Sequence, residues 1–281
     1  MFGYRAANFR LVQPGLYRNK AHSMDLGLQG LRVMVSAGAG GIGLAIARAF
    51  VREGARVAVC DVDAAALAAL PSSDPQLHGT PCDVSDRAAV ARWFDAALAH
   101  LGGLDCLVNN AGIAGPTGKV DAIDPEAWDR CIAVDLTGQF NCVRLAVPAL
   151  RSSSNASIVN VSSLAGRLGF ALRTPYAAAK WGVIGLMRSL AIELGPDKIR
   201  VNALLPGIVA GERQQRVLAA KAQARGVAFE EVERSAFAGT SIKQYVSAEQ
   251  LADYVVYLAS PRAATISGQA LSVCGDTNML S

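Results

Sequence analysis

The sequence predicts a single α/β domain, a three-layer, doubly wound parallel sheet with helices on both faces. Three observations favour this fold. Short β-rich runs alternate with helical patterns of about 12–15 residues, the order expected of parallel strands joined by crossover helices. A glycine-rich turn separates the first β-rich run from the first helical pattern. The 281 residues, 52% of them hydrophobic, are enough to bury one large core.

The first predicted unit is a strand, a glycine turn and a helix. Residues 31–36 form the β-rich run, the turn AGAGGIG covers residues 37–43, and the helical pattern then continues to Gly54. Glycines let a backbone turn tightly and approach a pyrophosphate, and a helix N-terminus offers that group free N–H donors. A tight turn without a ligand is the plainer interpretation. The flanking strand and helix favour a dinucleotide site.

The second predicted strand, residues 56–60, ends at Asp61. An acidic side chain about twenty residues after such a turn accepts hydrogen bonds from the adenosine ribose hydroxyls. It would repel a 2′-phosphate, and no arginine follows it, so the sequence favours NAD over NADP. Alternatively, Asp61 caps the next helix, a role that Asp63 can also fill.

The alternation then continues towards the middle of the chain. Residues 80–84 are predicted to close a third strand, a helix runs from Ser85-Asp86 to about Leu101, and residues 104–108 form a fourth strand. Ligands bind doubly wound sheets beyond the carboxyl ends of the strands. Asp83 and residues 109–112 (NNAG) lie at two of these ends, so we expect them at the ligand site.

The second half predicts three more strands between helices. Asp124, followed by proline and glutamate, is typical of a helix start, and this helix is predicted to run through Asp135 to about Leu150. Ser247 opens a capping-box pattern before a helix that ends at Leu258. The predicted strands are residues 157–161, 200–206 and 266–273.

Tyr176 and Lys180 are candidate catalytic residues. They lie one turn apart in a helical pattern, so their side chains leave the same face. An ammonium beside a phenol favours the phenolate, which then exchanges a proton with an alcohol near neutral pH. Ser163 follows the predicted strand 157–161 and can meet them at the sheet edge. The pair alone is a weak signal, since a packed tyrosine and an exposed lysine would have the same spacing.

Taken together, seven motifs resemble the short-chain dehydrogenase/reductase family over about residues 28–277. They are the glycine turn, Asp61, Asp83-Val84, Asn109-Asn110-Ala111-Gly112, Ser163, Tyr176-x-x-x-Lys180 and Pro206-Gly207. The resemblance implies one Rossmann-like domain with a seven-stranded parallel sheet and NAD(P)-dependent alcohol or carbonyl chemistry. It also implies a homotetramer or a homodimer.

The resemblance also implies roles for individual residues. Tyr176 would be the general acid/base, Lys180 would tune it and bind the nicotinamide ribose, and Ser163 would hold the substrate oxygen. Asp135 stands where an asparagine usually completes a catalytic tetrad. The implied cofactor contacts are Ser36, Gly38, Gly41, Ile42, Gly43, Asp61, Val62, Asp83, Val84, Asn110, Ala111, Gly112, Tyr176, Lys180, Pro206, Gly207 and Ile208.

Four positions depart from the usual pattern of the family. Ala37 replaces the first glycine of the turn, which we expect to be tolerated if its φ is negative. An ionised Asp135 only accepts hydrogen bonds, whereas the usual asparagine both donates and accepts them. Three alternatives follow: the proton relay through this helix is weakened, the Asp135 carboxyl is protonated, or the backbone of Asp135 is sufficient for the relay. Gly211 replaces a threonine and Cys274 an aspartate.

The function predicted from these motifs is the NAD-dependent interconversion of a secondary alcohol and a ketone, with a small-molecule substrate. A 3-oxoacyl-carrier-protein reductase is the enzymatic alternative, although that activity usually goes with NADPH. The second alternative is a protein that is not an enzyme and that binds a dinucleotide or acts as a scaffold. The predicted pocket is apolar, which suggests a cyclic or aliphatic alcohol and leaves sugars and steroids open; its residues are Ile113, Ala114, Leu164, Ala165 and Ile208.

The composition of the sequence indicates where the domain begins and which classes of partner are not expected. Residues 1–23, basic and without acidic residues, are interpreted as a leader or disordered extension, 24–281 as the domain, and 211–245 as a charged helical insertion over the substrate. A net charge of +4 is too small to indicate nucleic acid, and no apolar run suggests a membrane span. Six cysteines without a CxxC pair predict reduced thiols in a cytoplasmic protein and no metal site.

Overall fold

The computed structural model describes residues 24–280, so the predicted leader lies outside the described residues. One sheet of seven parallel strands has the order β3-β2-β1-β4-β5-β6-β7. This confirms the predicted single-domain, doubly wound fold. The strands are β1 (Arg32–Ser36), β2 (Arg56–Asp61), β3 (Leu77–Pro81), β4 (Cys106–Asn109), β5 (Ser157–Val161), β6 (Arg200–Pro206) and β7 (Ala270–Val273).

Helices cover both faces of the sheet. They are α1 (Gly41–Arg52), α2 (Ala64–Ser73), α3 (Arg87–Leu101), α4 (Pro125–Ile132), α5 (Gly138–Leu150), α6 (Thr174–Glu193), α7 (Glu212–Arg225), α8 (Phe229–Ala238) and α9 (Ala248–Ala259). One core lies between the sheet and helices α1, α2 and α9, and the other lies between the sheet and α3, α5 and α6. Alternate strand residues supply the two cores, as Met34 and Val35 of β1 show.

The strand order reverses between β1 and β4, which both lie near the centre of the sheet. Chains that leave neighbouring strands on opposite sides of such a point open a crevice at the carboxyl edge. The glycine turn after β1 and the NNAG segment after β4 both begin at this edge. The topology therefore brings the predicted binding motifs together.

Two of the predicted helix starts have the expected side-chain caps. The Asp86 carboxylate accepts hydrogen bonds from the backbone N–H groups of Ala88 and Ala89 at the start of α3. Ser247 and Gln250 form both hydrogen bonds of the capping box that begins α9. These short-range signals hold because each cap depends only on residues within one turn of it.

Two strand predictions were wrong at their ends. Strand β3 closes at Pro81 rather than Val84, because β2, its only neighbour among residues 24–280, ends at Asp61 and leaves no strand to pair with. Strand β7 begins at Ala270 rather than Ile266. The Asn202 side chain donates to the Ile266 carbonyl and accepts the N–H of the residue before Ala270, so side-chain hydrogen bonds interrupt the backbone ladder there.

The predicted helix from Asp124 to Leu150 is interrupted. A π-helical turn, Ala133–Thr137, separates α4 from α5, and Asp135 lies within it. Asp124 occupies the position before α4, but its side chain caps no backbone N–H. At the start of α5, Gly138 packs so closely that an added Cβ would lie 2.6 Å from Val84.

Candidate functional site

A cleft lies at the carboxyl edge of the sheet, beside the switch point. A cavity of about 620 Å³ is lined by Tyr176, the start of α1 and the exit of β6. A second cavity of about 650 Å³ extends past the glycine turn to Asp61. Both cavities share Asn110 and Gly112 as lining residues, so they form one continuous cleft.

The start of α1 presents free N–H groups to this cleft. Its N-cap, Gly40, offers no side-chain hydrogen bond, and the first turn contains no acidic residue. An added Cβ at Gly40 or Gly41 would meet no atom within 4 Å, so the backbone there is open. Gly38 and Gly43 serve packing instead, because an added Cβ would lie 2.7 Å from Val59 and 2.0 Å from the Ala37 carbonyl oxygen.

Ala37 has a φ of +50°, so the negative φ under which an alanine would be tolerated here is not what the structure shows. The turn places this residue in the left-handed region, which carries steric cost for any residue with a Cβ. Asp61 supports the same turn. Its Oδ2 accepts the Ala39 N–H at 3.1 Å, and its Oδ1 accepts the Asp63 N–H at 3.1 Å. Asp63, as predicted, caps α2 by accepting the Ala66 N–H.

Ser36 ties the ends of β1 and β4 together. Its hydroxyl accepts the N–H groups of Asn110 and Ala111, each at 3.0 Å. The Asn110 side-chain amide donates in turn to the carbonyls of Ser36 and Ala37, each at 3.1 Å. Ser36 and Ala111 are buried behind the cleft wall, which Asn110 itself lines. Sequence reasoning gave these residues only as cofactor contacts and missed this bracing.

Ser163, Tyr176 and Lys180 line the same cavity. Ser163 follows β5, and its hydroxyl accepts the Ala165 N–H at 3.1 Å, which leaves its proton available to an acceptor in the cleft. Tyr176 and Lys180 share one face of α6, and the Lys180 Nζ lies 5.6 Å from the centre of the Tyr176 ring. The predicted constellation is therefore assembled in space.

Asp135 lies directly behind Lys180. Its Oδ2 is 3.3 Å from the Lys180 Nζ, and its Oδ1 accepts the Ile113 N–H at 2.7 Å. Lys180 also donates to the Val161 carbonyl at 3.3 Å, and the Gln139 side chain donates to that same oxygen. Asp135 is 0% exposed and contacts two residues that line the cleft, Lys180 and Ile113. One oxygen of the Asp135 carboxyl thus faces an N–H group and the other faces the Lys180 ammonium, and the three alternatives for its role remain predictions.

Seven implied cofactor contacts lie outside the cavity linings: Ser36, Gly38, Gly43 and Ala111, described above, and also Val62, Asp83 and Val84. The Asp83 carboxylate binds Arg130 and Ser85, and although burial raises the pKa of Asp83, these hydrogen bonds outweigh it and lower the pKa. Val84 is buried and Val62 is 68% exposed. Their contacts remain predictions.

The exit of β6 forms the opposite wall. Pro206, Gly207 and Ile208 line the first cavity, and an added Cβ at Gly207 would lie 2.7 Å from the Cα of Cys274. Gly211 has a φ of +133°, a conformation that disfavours any side chain and is incompatible with the usual threonine. Helix α7 begins directly after it and carries residues that line both cavities.

The predicted apolar pocket residues are divided between the cavities. Leu164 and Ile208 line the first, Ile113 and Ala114 line the second, and Ala165 is buried behind the wall. Sequence reasoning missed the arginines of the cleft. They are Arg173, Arg213 and Arg216, which line both cavities. The position of Arg173 one turn before Tyr176 was the available signal.

Other ligand and membrane signals are absent from residues 24–280. No group of histidine, cysteine or carboxylate side chains there is suited to a metal ion. In the same range, no helix is both long and apolar enough to cross a bilayer. The six cysteines are free thiols.

The fold and the cleft define an oxidoreductase that works with a nicotinamide dinucleotide. A family model described as enoyl-(acyl carrier protein) reductase matches residues 37–276. The chain belongs to the short-chain dehydrogenase/reductase family, which confirms the resemblance seen in the sequence. It is an oxidoreductase that acts on a hydroxyl or keto group.

Relatives of the chain cover nearly all of it. The 2-(S)-hydroxypropyl-CoM dehydrogenase 3 of Xanthobacter autotrophicus is 35% identical over 248 residues, which are 86% of this chain and 94% of the relative. The D-beta-hydroxybutyrate dehydrogenase of Rhizobium meliloti is 32% identical over 251 residues, 86% of this chain and 96% of the relative. A solved structure of actinorhodin polyketide ketoreductase with NADPH has a TM-score of 0.83 and 32% identity, covering 88% of this chain and 96% of that one.

Proposed function

We propose that the protein is an NAD-dependent dehydrogenase/reductase that interconverts a secondary alcohol and a ketone, with Tyr176 as general acid/base. One observation supports this most. Ser163, Tyr176 and Lys180 line the same cavity as the uncapped start of α1. Proton-transfer groups and a dinucleotide-binding helix end therefore face one space.

The residues of the cleft fit a nicotinamide dinucleotide. The open backbone at Gly40 and Gly41 and the free N–H groups of α1 suit a pyrophosphate. The Asp61 carboxylate lies at the far end of the cleft, where it suits a ribose diol. Once bound, the cofactor accepts or supplies the hydride.

Each catalytic side chain has one task in the proposed mechanism. In oxidation, Tyr176 takes the proton of the alcohol oxygen, and in reduction it returns a proton to that oxygen. The Ser163 hydroxyl donates a hydrogen bond to the same oxygen and stabilises the charge that develops on it. Lys180 directs one ammonium proton to Val161 and faces Asp135, which leaves a further donor for the nicotinamide ribose.

The cofactor preference rests on Asp61. Its carboxylate lines the cleft, and a 2′-phosphate placed there would be repelled. The solved ketoreductase with NADPH makes NADP the rival cofactor. NADP preference in solution would favour the alternative 3-oxoacyl reductase activity over the NAD-dependent one.

The test is NADH absorbance during turnover of a panel of secondary alcohols and ketones. We expect wild-type turnover, and we expect Tyr176→Phe to lower kcat at least about 100-fold, since general acid–base catalysis contributes that much or more. Tyr257→Phe, a tyrosine of α9 outside the cleft linings, is the matched control. Turnover that persists in Tyr176→Phe would disprove the mechanism. Tight NAD binding without any turnover would favour the non-catalytic alternative.

We also propose a cover, an assembly and a location. Residues 211–245, with α7 and α8, would cover the substrate and set specificity.

Phe140 of α5 and Trp181 of α6 are exposed apolar side chains that suit subunit contacts in a homotetramer or homodimer. Light scattering of the wild type and Trp181→Lys tests the assembly. Free thiols favour the cytoplasm.

A further inference from the structure

Arg173 is a buried cation in the cleft that the proposed mechanism does not use. It lies at the start of α6, one turn before Tyr176, and it is 2% exposed. It lines both cavities. Leu172 directly before it has a φ of +64°, a left-handed conformation that is costly for a residue with a Cβ. Such strained positions concentrate at functional sites.

The hydrogen bonding of this guanidinium is incomplete. Its Nη2 donates to the Ala114 carbonyl, whereas its Nε and Nη1 have no hydrogen-bond partner among the described residues. Its Cζ lies 5.2 Å from the centre of the Tyr176 ring and 5.6 Å from that of Phe170. No carboxylate in residues 24–280 forms an ion pair with it. A buried charge without a counter-ion is costly, so the arrangement indicates an anion that binds there.

The surrounding charges favour an anion as well. Arg213 and Arg216 of α7 line both cavities, and Arg213 donates to the Gly112 carbonyl at 2.9 Å. Burial lowers the pKa of Arg173 and the nearby Arg213 lowers it further, and these effects outweigh Tyr176 and Asp135, which raise it. The acidic residues in the lining of the first cavity are Asp63, which caps α2, and Glu212, which is exposed on α7. Neither is an ion-pair partner of Arg173.

We propose that the substrate is a short hydroxy acid, or the corresponding oxo acid, whose carboxylate is bound by Arg173. A guanidinium presents its N–H donors in a fork that matches a carboxylate. Because Arg173 lies so near the Tyr176 ring, the carboxylate and the reacting carbon are separated by only a few bonds. This inference rests on the proposed oxidoreductase function and names the substrate class of the same site.

The experiment compares acids with their neutral esters. Wild type is assayed with NAD on 2-hydroxybutyrate and 3-hydroxybutyrate, which are both secondary alcohols, and on the methyl ester of each. We expect at least one acid to exceed its ester in kcat/KM by about 10- to 100-fold, the range for hydrogen bonds to a charged group. In Arg173→Met, we expect the acid to lose at least about tenfold more kcat/KM than the ester, chiefly through KM, and Arg173→Lys to recover part of the loss.

The matched control is Arg188→Met, an exposed arginine on the same helix outside the cleft linings, which should keep the wild-type preference for the acid. Circular dichroism reports whether each variant folds. Equal wild-type kcat/KM for acids and esters would overturn the proposal even if Arg173→Met fails to fold. So would a preference for the acid that survives in Arg173→Met. Turnover of neutral alcohols alone would reject the acid and retain the oxidoreductase, whereas no turnover of any substrate would reject both.

Discussion

The Lys180 Nζ lies 3.3 Å from the Asp135 Oδ2, and the two side chains are 3% and 0% exposed. An aspartate thus stands behind the lysine where the family usually has an asparagine. Its other oxygen holds the Ile113 N–H of the segment that follows β4. The residue therefore joins α6 to the cleft wall and supplies a buried counter-ion to Lys180.

Replacing this counter-ion should destabilise the protein. We expect Asp135→Asn to lower the free energy of unfolding by about 3 kcal/mol, because it leaves the Lys180 ammonium buried without a carboxylate. Adding Lys180→Met should cost much less than the sum of the two single changes, since no unpaired charge then remains. Urea denaturation of the four proteins measures this. Simple additivity of the two changes would show that the ion pair contributes nothing.

Cofactor choice should depend on Asp61. We expect Asp61→Ala to lower kcat/KM for NAD by about 10- to 100-fold through the loss of hydrogen bonds from the ribose, and to affect NADP less. Asp63→Asn is the control for removing a nearby carboxylate. Asp63 caps α2, and its substitution leaves the Asp61 carboxylate in place. The Ala39 N–H also bonds to Asp61, so the melting temperature is followed alongside. An unchanged ratio of NAD to NADP efficiency would remove Asp61 from cofactor selection.

Replacing Ala37 of the glycine turn with glycine should increase the stability of the protein. Ala37 has a φ of +50°, which costs about 1–2 kcal/mol for an L-residue, whereas glycine loses about 0.5–1 kcal/mol through unfolded-chain entropy. We therefore expect Ala37→Gly to raise the free energy of unfolding by up to about 1 kcal/mol, measured by urea denaturation. Ala39→Gly, at the neighbouring buried position, should lower it. A loss of stability in Ala37→Gly would mean that the alanine methyl packs well enough to offset its backbone cost.

Lys221 of α7 should make stability depend on pH. Its Nζ lies 3.9 Å from the centre of the Phe170 ring, and burial, with Arg225 and Arg173 adding to it, lowers the pKa of Lys221 to about 7. The unfolded lysine has a pKa of about 10.4, so between these values the unfolded state binds more protons and stability rises with pH. Below about pH 7 both states are protonated and the full cost of burying the charge is present.

The test compares wild type with Lys221→Met across that range. We expect the wild type to gain stability relative to Lys221→Met as the pH rises from about 7 to about 10. Thermal unfolding at several pH values measures the difference. Arg188→Met, which changes an exposed cation, should show the wild-type dependence. Parallel curves for wild type and Lys221→Met would contradict a lowered lysine pKa.

The sequence predicted most of the fold because its signals are local. Caps such as Asp86 and the capping box at Ser247 act within one turn, and alternating strands and helices leave one sheet topology. Prediction from the sequence failed at strand ends that depend on residues distant in the chain. Strand β3 stops where β2 stops, and hydrogen bonds of the Asn202 side chain interrupt the backbone ladder before β7.

For the site, the sequence by itself determined the identity and order of Ser163, Tyr176 and Lys180, because their spacing is fixed along one chain. Only the tertiary structure decided what surrounds them. The contact of Asp135 with Lys180, the left-handed φ of Ala37 and the buried position of Arg173 depend on segments far apart in sequence. The burial and the electrostatic environment of a residue depend on every segment packed around it, and a pattern along one stretch of sequence does not include those segments.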